Sequence, residues 1–236
     1  MLVVLVYHKV SRSRANDLYT ISDKDLFIHL QMVQKSGIPV VDPRALSTGW
    51  NRSQPGIMLT FDDGTEDHFD TVRPLLHDFK IPGLFYVSTG KLGESGYMTA
   101  AHLGRLSDEG HTIGSHSHSH RRMDRMPAAE VAQELRRSAS LIEDIAGERP
   151  LFFAPPGGLS SRELVCAARE EGYRLFRTMR WGYNRLFDPM SIEVVPMTDL
   201  TGIPFLACAL EGRGEWLLKL GFFAKTGWRA AREHWT

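Results

Sequence analysis

The 236-residue sequence is poor in features that mark several large classes of protein. Cysteine is scarce: Cys166 and Cys208 lie far apart among apolar residues, which excludes a disulfide framework and a cysteine metal site and predicts two buried thiols. Net charge is absent, with 28 basic and 28 acidic residues, so no basic field favours nucleic acid as a partner. No apolar run reaches the ~18 residues that a membrane-spanning helix needs.

The first eight residues, Met1–His8, are apolar but short. They lack the basic start and the small-residue cleavage site of a signal peptide, and they are predicted to form a strand buried on both faces. Buried free thiols also fit a reducing compartment. We therefore expect a cytoplasmic protein, although a chain from which a signal peptide had been trimmed would have the same sequence.

Predicted strands and helices alternate at intervals of roughly 30 residues, which is typical of βα units in a mostly parallel sheet or barrel. Strands are predicted at residues 2–7, 38–41, 57–61, 84–88, 111–115, 151–154, 175–178 and 192–195. Helices are predicted at residues 23–36, 69–79, 100–108, 127–146 and 161–172, with a loop at 11–19. We expect one α/β catalytic domain over residues 1–200 and an amphipathic extension over residues 201–236.

Polar residues that can carry chemistry follow four of these predicted strands. They are His8, the pair Asp62-Asp63, the cluster His116-Ser117-His118-Ser119-His120, and Pro155-Pro156. Sites in α/β folds lie at the carboxyl ends of the strands. The four stretches are therefore expected to converge on one rim of the fold.

Asp62-Asp63-Gly64 allows two interpretations, an ordinary polar turn or a pair of functional carboxylates. The histidine cluster favours function, because His116 and His120 can bring two imidazoles to one ion. With one carboxylate they form an Asp-His-His set that leaves a coordination position open on zinc. His118 is expected to point elsewhere, and a histidine-serine strand that is merely polar is the competing interpretation.

The two carboxylates can divide the work at such a site. One would bind the metal, and the other would accept a proton from a water molecule whose pKa the metal lowers from 15.7 to about 7. This arrangement hydrolyses an amide or an ester. We expect Zn²⁺, although an Asp-His-His set also accepts Co²⁺, Ni²⁺ or Fe²⁺.

Thr60-Phe61-Asp62-Asp63-Gly64 together with His116-Ser117-x-x-His120 resembles the polysaccharide deacetylase family, carbohydrate esterase family 4. The order, spacing and strand context of the motifs agree from Leu2 to Val195. The resemblance implies a distorted, seven-stranded (β/α) barrel and metal-dependent removal of N- or O-acetyl groups from sugars. It implies Asp62 as general base, Asp63, His116 and His120 as metal ligands, and Ser117 as a hydrogen-bonding support.

The third motif of the family is altered in Phe153-Ala154-Pro155-Pro156-Gly157-Gly158. Ala154 stands where the family has an arginine that steadies the base. Gly157 stands where it has a tyrosine whose backbone N–H helps to hold the oxyanion, and glycine keeps that donor with less preorganisation. Pro155, Pro156 and Gly157 remain candidates for binding or supporting the substrate. Arg177 and Arg180 are candidates to replace the arginine, unless both belong to a solvated charge cluster.

The last motif of the family, a leucine and histidine near the C-terminus, is missing after Val195. The chain instead begins with Val4-Leu5-Val6-Tyr7-His8, which resembles the permuted branch of the family that includes poly-N-acetylglucosamine deacetylases. That resemblance implies His8 as the general acid, since an amine leaves only when it is protonated. A strand-end histidine that caps the core is the alternative.

Residues 216–235 form the one basic and aromatic segment of the chain. It could be an interfacial helix that lies on anionic lipid at the inner face of the membrane, or a helix whose apolar side packs on the barrel.

These observations predict a metal-dependent hydrolase that removes an N-acetyl group from an amino sugar in a bacterial surface glycan or its lipid-linked precursor. The expected partners are an N-acetylated sugar, oligosaccharide or lipid-linked glycan. Two alternatives keep the site, a carbohydrate O-acetyl esterase and a sugar deformylase. A third is a catalytically inactive glycan-binding protein, which the changes at Ala154 and Gly157 would favour.

Overall fold

A computed structural model describes residues 1–12, 17–48, 50–51, 53–199, 201 and 203–220. The described strands are β1 (Leu2–Tyr7), β2 (Lys9–Ser11), β3 (Thr20–Ser22), β4 (Gly56–Phe61), β5 (Gly83–Val87), β6 (Thr112–Ser115), β7 (Phe152–Phe153), β8 (Leu175–Trp181) and β9 (Ile192–Pro196). Seven of them close a parallel barrel in the order β1-β4-β5-β6-β7-β8-β9. The predicted seven-stranded α/β barrel is therefore confirmed.

Helices surround the barrel and connect its strands. They are α1 (Asp23–Lys35), α2 (Ala45–Thr48), α3 (Arg73–Phe79), α4 (Ala100–Asp108), α5 (Ala128–Ala146), α6 (Arg162–Glu170) and α7 (Ile203–Leu210), with a π-helical turn at His68–Val72 before α3. Ser22, Thr99 and Ser161 cap α1, α4 and α6, because each side-chain oxygen accepts a backbone N–H of the first turn.

Alternate residues of each strand face the barrel interior, and this period of two continues into the site. Leu2, Val4 and Val6 of β1 belong to the inner cluster with Met58, whereas Val3 and Leu5 pack with the helices. His8 is the next residue in the inward series of β1, and Asp62 continues the series of Met58 on β4. Arg177 likewise lies between the inward residues Leu175 and Met179.

The strand register brings the strand ends to one level. Tyr7 pairs with Phe61, Phe61 with Phe85, Val87 with Ser115, Ser115 with Phe153, and Phe153 with Phe176. β1 also pairs with β9 and so closes the barrel beside β4. The residues that follow these strands therefore gather on one rim, as the sequence predicted.

Several local predictions were wrong. Residues 38–41 form only one bridge, between Val40 and Ile57, because β5 occupies the same side of β4 from Leu59 onward. The pair of β2 and β3 was not predicted, and it includes Ser11 of the predicted loop at 11–19, whereas the other described residues of that loop form no helix or strand. Cys166 and Cys208 are exposed, since they lie on the outer sides of α6 and α7, where Leu164, Ala168 and Leu206 are the buried residues.

The division at residue 200 stays a prediction. Within the predicted extension, α7 buries Leu206, Ala209 and Leu210, and residues 215–220 are helical. Most of the basic and aromatic segment, residues 221–235, lies outside the described residues. None of the helices in the described ranges combines the length and apolar character that a bilayer crossing requires.

Candidate active site and metal centre

A left-handed backbone conformation at Asp63 turns its side chain into the site. In an extended strand its side chain would point away from that of Asp62, but Asp63 has a φ of 79° and Gly64 has the same value. The turn brings Asp63 Oδ1 to 3.3 Å from His116 Nε2 and 3.0 Å from His120 Nε2. A side chain at position 64 would be strained by this φ, and its Cβ would lie 2.9 Å from Val87 Cγ1.

Hydrogen bonds to the backbone and to one imidazole ring hold the histidine turn, residues 116–120, in place. Ser117 and His120 also have positive φ values, of 65° and 58°. Ser117 Oγ accepts the His120 N–H at 3.1 Å, and Glu134 accepts the N–H groups of His118 and Ser119. Asp63, His116 and His120 form the triad. His118 lies outside it and forms a hydrogen bond through Nδ1 with Thr89 Oγ1 at 3.0 Å.

The three side chains fit a metal ion. Their ligand atoms all lie within 4.8 Å of one another. His116 Nδ1 lies 2.7 Å from the carbonyl oxygen of Ala154 and must donate to it, so the neutral ring presents the lone pair of Nε2 to Asp63. Two lone pairs facing each other at 3.3 Å repel unless a proton or a cation lies between them. Carboxylate oxygen and imidazole nitrogen are ligands that suit Zn²⁺.

The charges at the triad also fit a metal-binding site. Burial alone would raise the pKa of the Asp63 carboxyl, but the nearby rings of His116 and His120 outweigh burial and hold that pKa well below its ordinary 3.8. The bond to Asp63 also raises the pKa of His120 above 6.5, against burial. Asp63 is therefore an anion that attracts positive charge to this point.

Asp62 has different surroundings from Asp63. Its side chain is 2% exposed, and its Oδ2 accepts a hydrogen bond from Arg177 Nη2 at 2.5 Å. His8 Nε2 lies 3.8 Å from the same oxygen. Oδ1 is buried and has no hydrogen-bond partner among the described residues. One oxygen of Asp62 is thus engaged by the Arg177 guanidinium, and the other is available.

His8 lies directly above the end of β1. Its ring is half-buried, 5.0 Å from the ring of Tyr19, and its carbonyl oxygen lies 2.5 Å from His68 Nε2. Burial lowers the pKa of His8 below 6.5, and the negative charges of Asp62 and Asp63 oppose that shift without reversing it. A protonated His8 is therefore a stronger acid than a free histidine.

A cavity of about 150 Å³ joins these groups. At ~30 Å³ per water molecule it has room for about five waters, which is sufficient for an acetamido group, so a sugar ring would extend beyond it. The cavity is lined by His8, Tyr19, Asp62, Asp63, His116, His120, Gly157, Gly158 and Met179.

The third-motif residues and the two arginines take different places. Pro155 and Pro156 are buried behind Gly157, which lines the cavity with a φ of 68°. Arg177 is fully buried beside Asp62, so a solvated cluster is the wrong interpretation for it. The structure does not bring Arg180 to Asp62, because that side chain reaches Ser191 and Glu193 instead.

Sequence reasoning missed Tyr19, Gly158 and Met179 as cavity residues. It also left Arg177 and Arg180 undecided. The signal for Arg177 was present, because it lies in an alternating series with the apolar residues Leu175 and Met179. No comparable pattern marked Tyr19, which lies in the segment predicted as a loop.

Comparisons with known proteins find relatives of this chain in sequence and in fold. The profile of the polysaccharide deacetylase family matches residues 50–176. Peptidoglycan-N-acetylmuramic acid deacetylase PdaA of Bacillus subtilis (strain 168) is 30% identical over 58% of this chain and 48% of its own length. A peptidoglycan-N-acetylglucosamine deacetylase of Bacillus cereus is 28% identical over 56% of this chain and 46% of its own. The chain spans about half the length of these two curated relatives.

Two solved structures share the fold. A deacetylase of Streptococcus pyogenes, PplD in complex with acetate, has a TM-score of 0.81 at 18% identity and covers 89% of this chain and 97% of its own. IcaB from Ammonifex degensii has a TM-score of 0.80 at 24% identity, with the same coverage. The matched stretch 50–176 contains Asp62, Asp63, His116 and His120, whereas His8 and Arg177 lie outside it.

Proposed function

The chain belongs to the polysaccharide deacetylase family, and from that premise we propose a metal-dependent hydrolase that removes an N-acetyl group from an amino sugar. The observation that carries the proposal is the division of two adjacent carboxylates. Asp63 converges with His116 and His120 on one point, while Asp62 is held apart with one free oxygen. Hydrolysis of an amide with a poor leaving group needs both an electrophilic centre and a base.

Asp63, His116 and His120 would hold the divalent cation, for which Zn²⁺ is the expected choice. When bound, such a cation polarises the acyl carbonyl and lowers the pKa of the attacking water. Ser117 supports this set through its bond to the His120 N–H, and Ala154 supports it through its carbonyl oxygen.

Asp62 and His8 move the protons in this proposal. Asp62 Oδ1 takes a proton from the water whose oxygen attacks the acyl carbon. The carbon–nitrogen bond then breaks, and His8 donates a proton to the departing nitrogen, so that acetate and a free amine result. Proton transfers of this kind typically contribute about 10²- to 10⁴-fold each.

Gly157 is the proposed backbone donor for the acyl oxygen. Pro155 and Pro156 precede it, and their restricted φ angles fix the approach of the chain to the cavity. The positive φ of Gly157 suits glycine, so a tyrosine at this position would be strained.

We further propose that the substrate is a bacterial surface glycan or its lipid-linked precursor. The peptidoglycan deacetylases among the relatives support a surface glycan. The proposed location is the cytoplasmic face of the membrane, with contact through residues 216–235. Its support is the exposure of Trp216, Leu217 and Leu220, which are 64%, 49% and 58% exposed, beside Lys219.

A product assay tests the proposed reaction. The zinc-loaded protein is incubated with chitooligosaccharides and with N-formyl and O-acetyl sugars, and released acetate, formate and free amine are measured. We expect acetate and amine in equal amounts from the N-acetyl sugar. Faster turnover of the O-acetyl or N-formyl sugar would select the esterase or the deformylase, and no turnover of any substrate by metal-loaded protein would select the glycan-binding alternative.

A flotation assay tests the membrane contact. Full-length protein and a version that ends at Glu211 are mixed with vesicles containing anionic lipid. We expect the full-length chain to float and the shortened chain to stay in solution. Equal, weak flotation of both would remove the membrane proposal without affecting the proposed reaction.

A further inference from the structure

Arg177 is a fully buried arginine in the barrel interior, with 0% of its side chain exposed. A buried guanidinium is unfavourable unless it is paired and hydrogen-bonded. Arg177 sits on the inner face of β8, two residues from Met179, which lines the catalytic cavity. A charge in such a position indicates a role in the site rather than solubility.

Three contacts hold the Arg177 guanidinium in place. Nη2 donates to Asp62 Oδ2 at 2.5 Å, and Nη1 donates to Met179 Sδ at 3.0 Å. The guanidinium carbon lies 4.9 Å from the centre of the Tyr86 ring, within the range of a cation–π contact. A planar, forked cation fits these three partners at once, whereas the point charge of a lysine does not.

The space for this guanidinium comes from the neighbouring strand. Phe153 on β7 pairs with Phe176 on β8, so Ala154 and Arg177 follow at adjacent positions on the inner surface. Ala154 is fully buried in the inner cluster. Its methyl group leaves a volume beside β8 that a long side chain at position 154 would fill.

The hydrogen bond from Arg177 also makes the two carboxylate oxygens of Asp62 different from each other. Oδ2 faces Arg177 and His8, while Oδ1 is buried and without a partner among the described atoms. A carboxylate fixed through one oxygen cannot rotate freely, so its other oxygen keeps a constant direction.

We propose that Arg177 is a positioning residue that fixes Asp62 through Oδ2 and thereby makes Oδ1 the atom that accepts the proton from water. This inference rests on the proposed function of Asp62. It assigns a role to a residue just beyond the stretch that matches the family profile, which ends at residue 176.

Two substitutions test the assignment. Arg177→Ala removes the guanidinium, and Arg177→Lys keeps a positive charge but cannot contact Asp62, Met179 and Tyr86 together. We expect kcat to fall about 10²-fold or more for Arg177→Ala and about 10-fold for Arg177→Lys. Bound zinc should stay at the wild-type level and KM within about threefold, because Arg177 touches neither the triad nor the outer part of the substrate.

Guanidinium rescue separates positioning from a structural role. Millimolar guanidinium chloride should raise kcat of Arg177→Ala several-fold by entering the space that the side chain leaves, and it should leave Asp62→Asn unchanged. Arg73→Ala is the matched control, since Arg73 on α3 also lies over an aromatic ring, Phe69, and pairs with a carboxylate, Glu109, but does not line the cavity. Its kcat should equal that of the wild type.

Folded, zinc-loaded Arg177→Ala with kcat within about fivefold of the wild type would overturn the assignment. If Arg177→Ala does not fold, Arg177→Lys decides: a loss of kcat with zinc and KM retained supports the proposal, and wild-type kcat or loss of zinc overturns it. Failure of the proposed function looks different, because the wild-type protein itself would then release no acetate.

Discussion

The two sides of the site are built in different ways. The metal side consists of Asp63, His116 and His120; Asp63 and His120 have positive φ and are 25% and 38% exposed, while His116 is buried directly after β6. The base side consists of Asp62, which directly follows β4, Arg177 on β8 and His8 after β1; Asp62 and Arg177 are almost completely buried. One side is made by local backbone turns and the other by packing across the barrel.

This difference shows which parts of the sequence supply metal binding and which supply proton transfer. The metal side needs three residues in two short motifs, and all of them fall within residues 50–176. The base side joins β4 to β1 and β8, near both ends of the domain, through His8 and Arg177. Catalysis in this proposal therefore depends on closing the barrel, whereas metal binding depends on two loops.

The largest expected effect comes from breaking the metal side alone. His116→Ala should lose bound zinc, and turnover should fall on the order of 10³-fold or more, because several kcal/mol of charge stabilisation are lost. His118→Ala is the control, since His118 lies on the same turn but pairs with Thr89. Zinc analysis and acetate release measure both. Equal loss of zinc in the two variants would contradict the assignment of the triad.

A smaller effect is expected from changing the base side at His8. His8→Gln should keep its zinc and lower kcat on an N-acetyl sugar about 10²-fold. An aryl acetate has a leaving group that needs no proton, so its hydrolysis should be almost unaffected. Similar losses on both substrates would show that His8 does not act as the acid.

The smallest effect on catalysis is expected at His29, which belongs to neither side. His29 is buried in α1 near the Tyr7 ring, and burial lowers its pKa to about 4. Because this pKa lies below the unfolded value of 6.5, the neutral ring contributes stability above pH 6.5 that is lost as pH falls towards 4.

The measurement for His29 is the free energy of unfolding of wild type and His29→Leu at pH 7 and pH 4. The wild type should lose on the order of 3 kcal/mol more than the variant over this range. Acid effects on the metal ligands are common to both proteins and cancel in the difference. Parallel pH curves would mean that the acid sensitivity arises in the site and not in the fold.

Much of the barrel could be predicted from the sequence. Apolar strands such as Leu2–Tyr7 and capped helices such as Ala100–Asp108 carry local signals, and the structure confirms them. The metal-side motifs are equally local, because each is a short stretch of the chain. One is a pair of carboxylates before a glycine, and the other contains two histidines four residues apart. The structure brings Asp63, His116 and His120 together, while their roles remain proposals.

The base side could be predicted only in part. The choice between Arg177 and Arg180 depends on which residue faces the interior of β8, and a register shift between Arg177 and Trp181 disturbs the simple alternation. Residues 38–41 show the opposite error, because a β-branched segment with strand propensity finds a free edge of β4 only beside Ile57, before β5 pairs at Leu59. Alternation with Leu175 and Met179 favours Arg177 in the sequence, whereas the length of a free strand edge depends on tertiary packing that no local pattern contains.

The most direct test compares the neighbouring variants Asp62→Asn and Asp63→Asn, with zinc content and kcat measured on the same preparations. We expect Asp62→Asn to bind zinc like the wild type and to lose kcat about 10³-fold, and Asp63→Asn to lose both zinc and activity. Loss of zinc in both variants, or near-normal turnover by Asp62→Asn, would contradict the division of the two carboxylates.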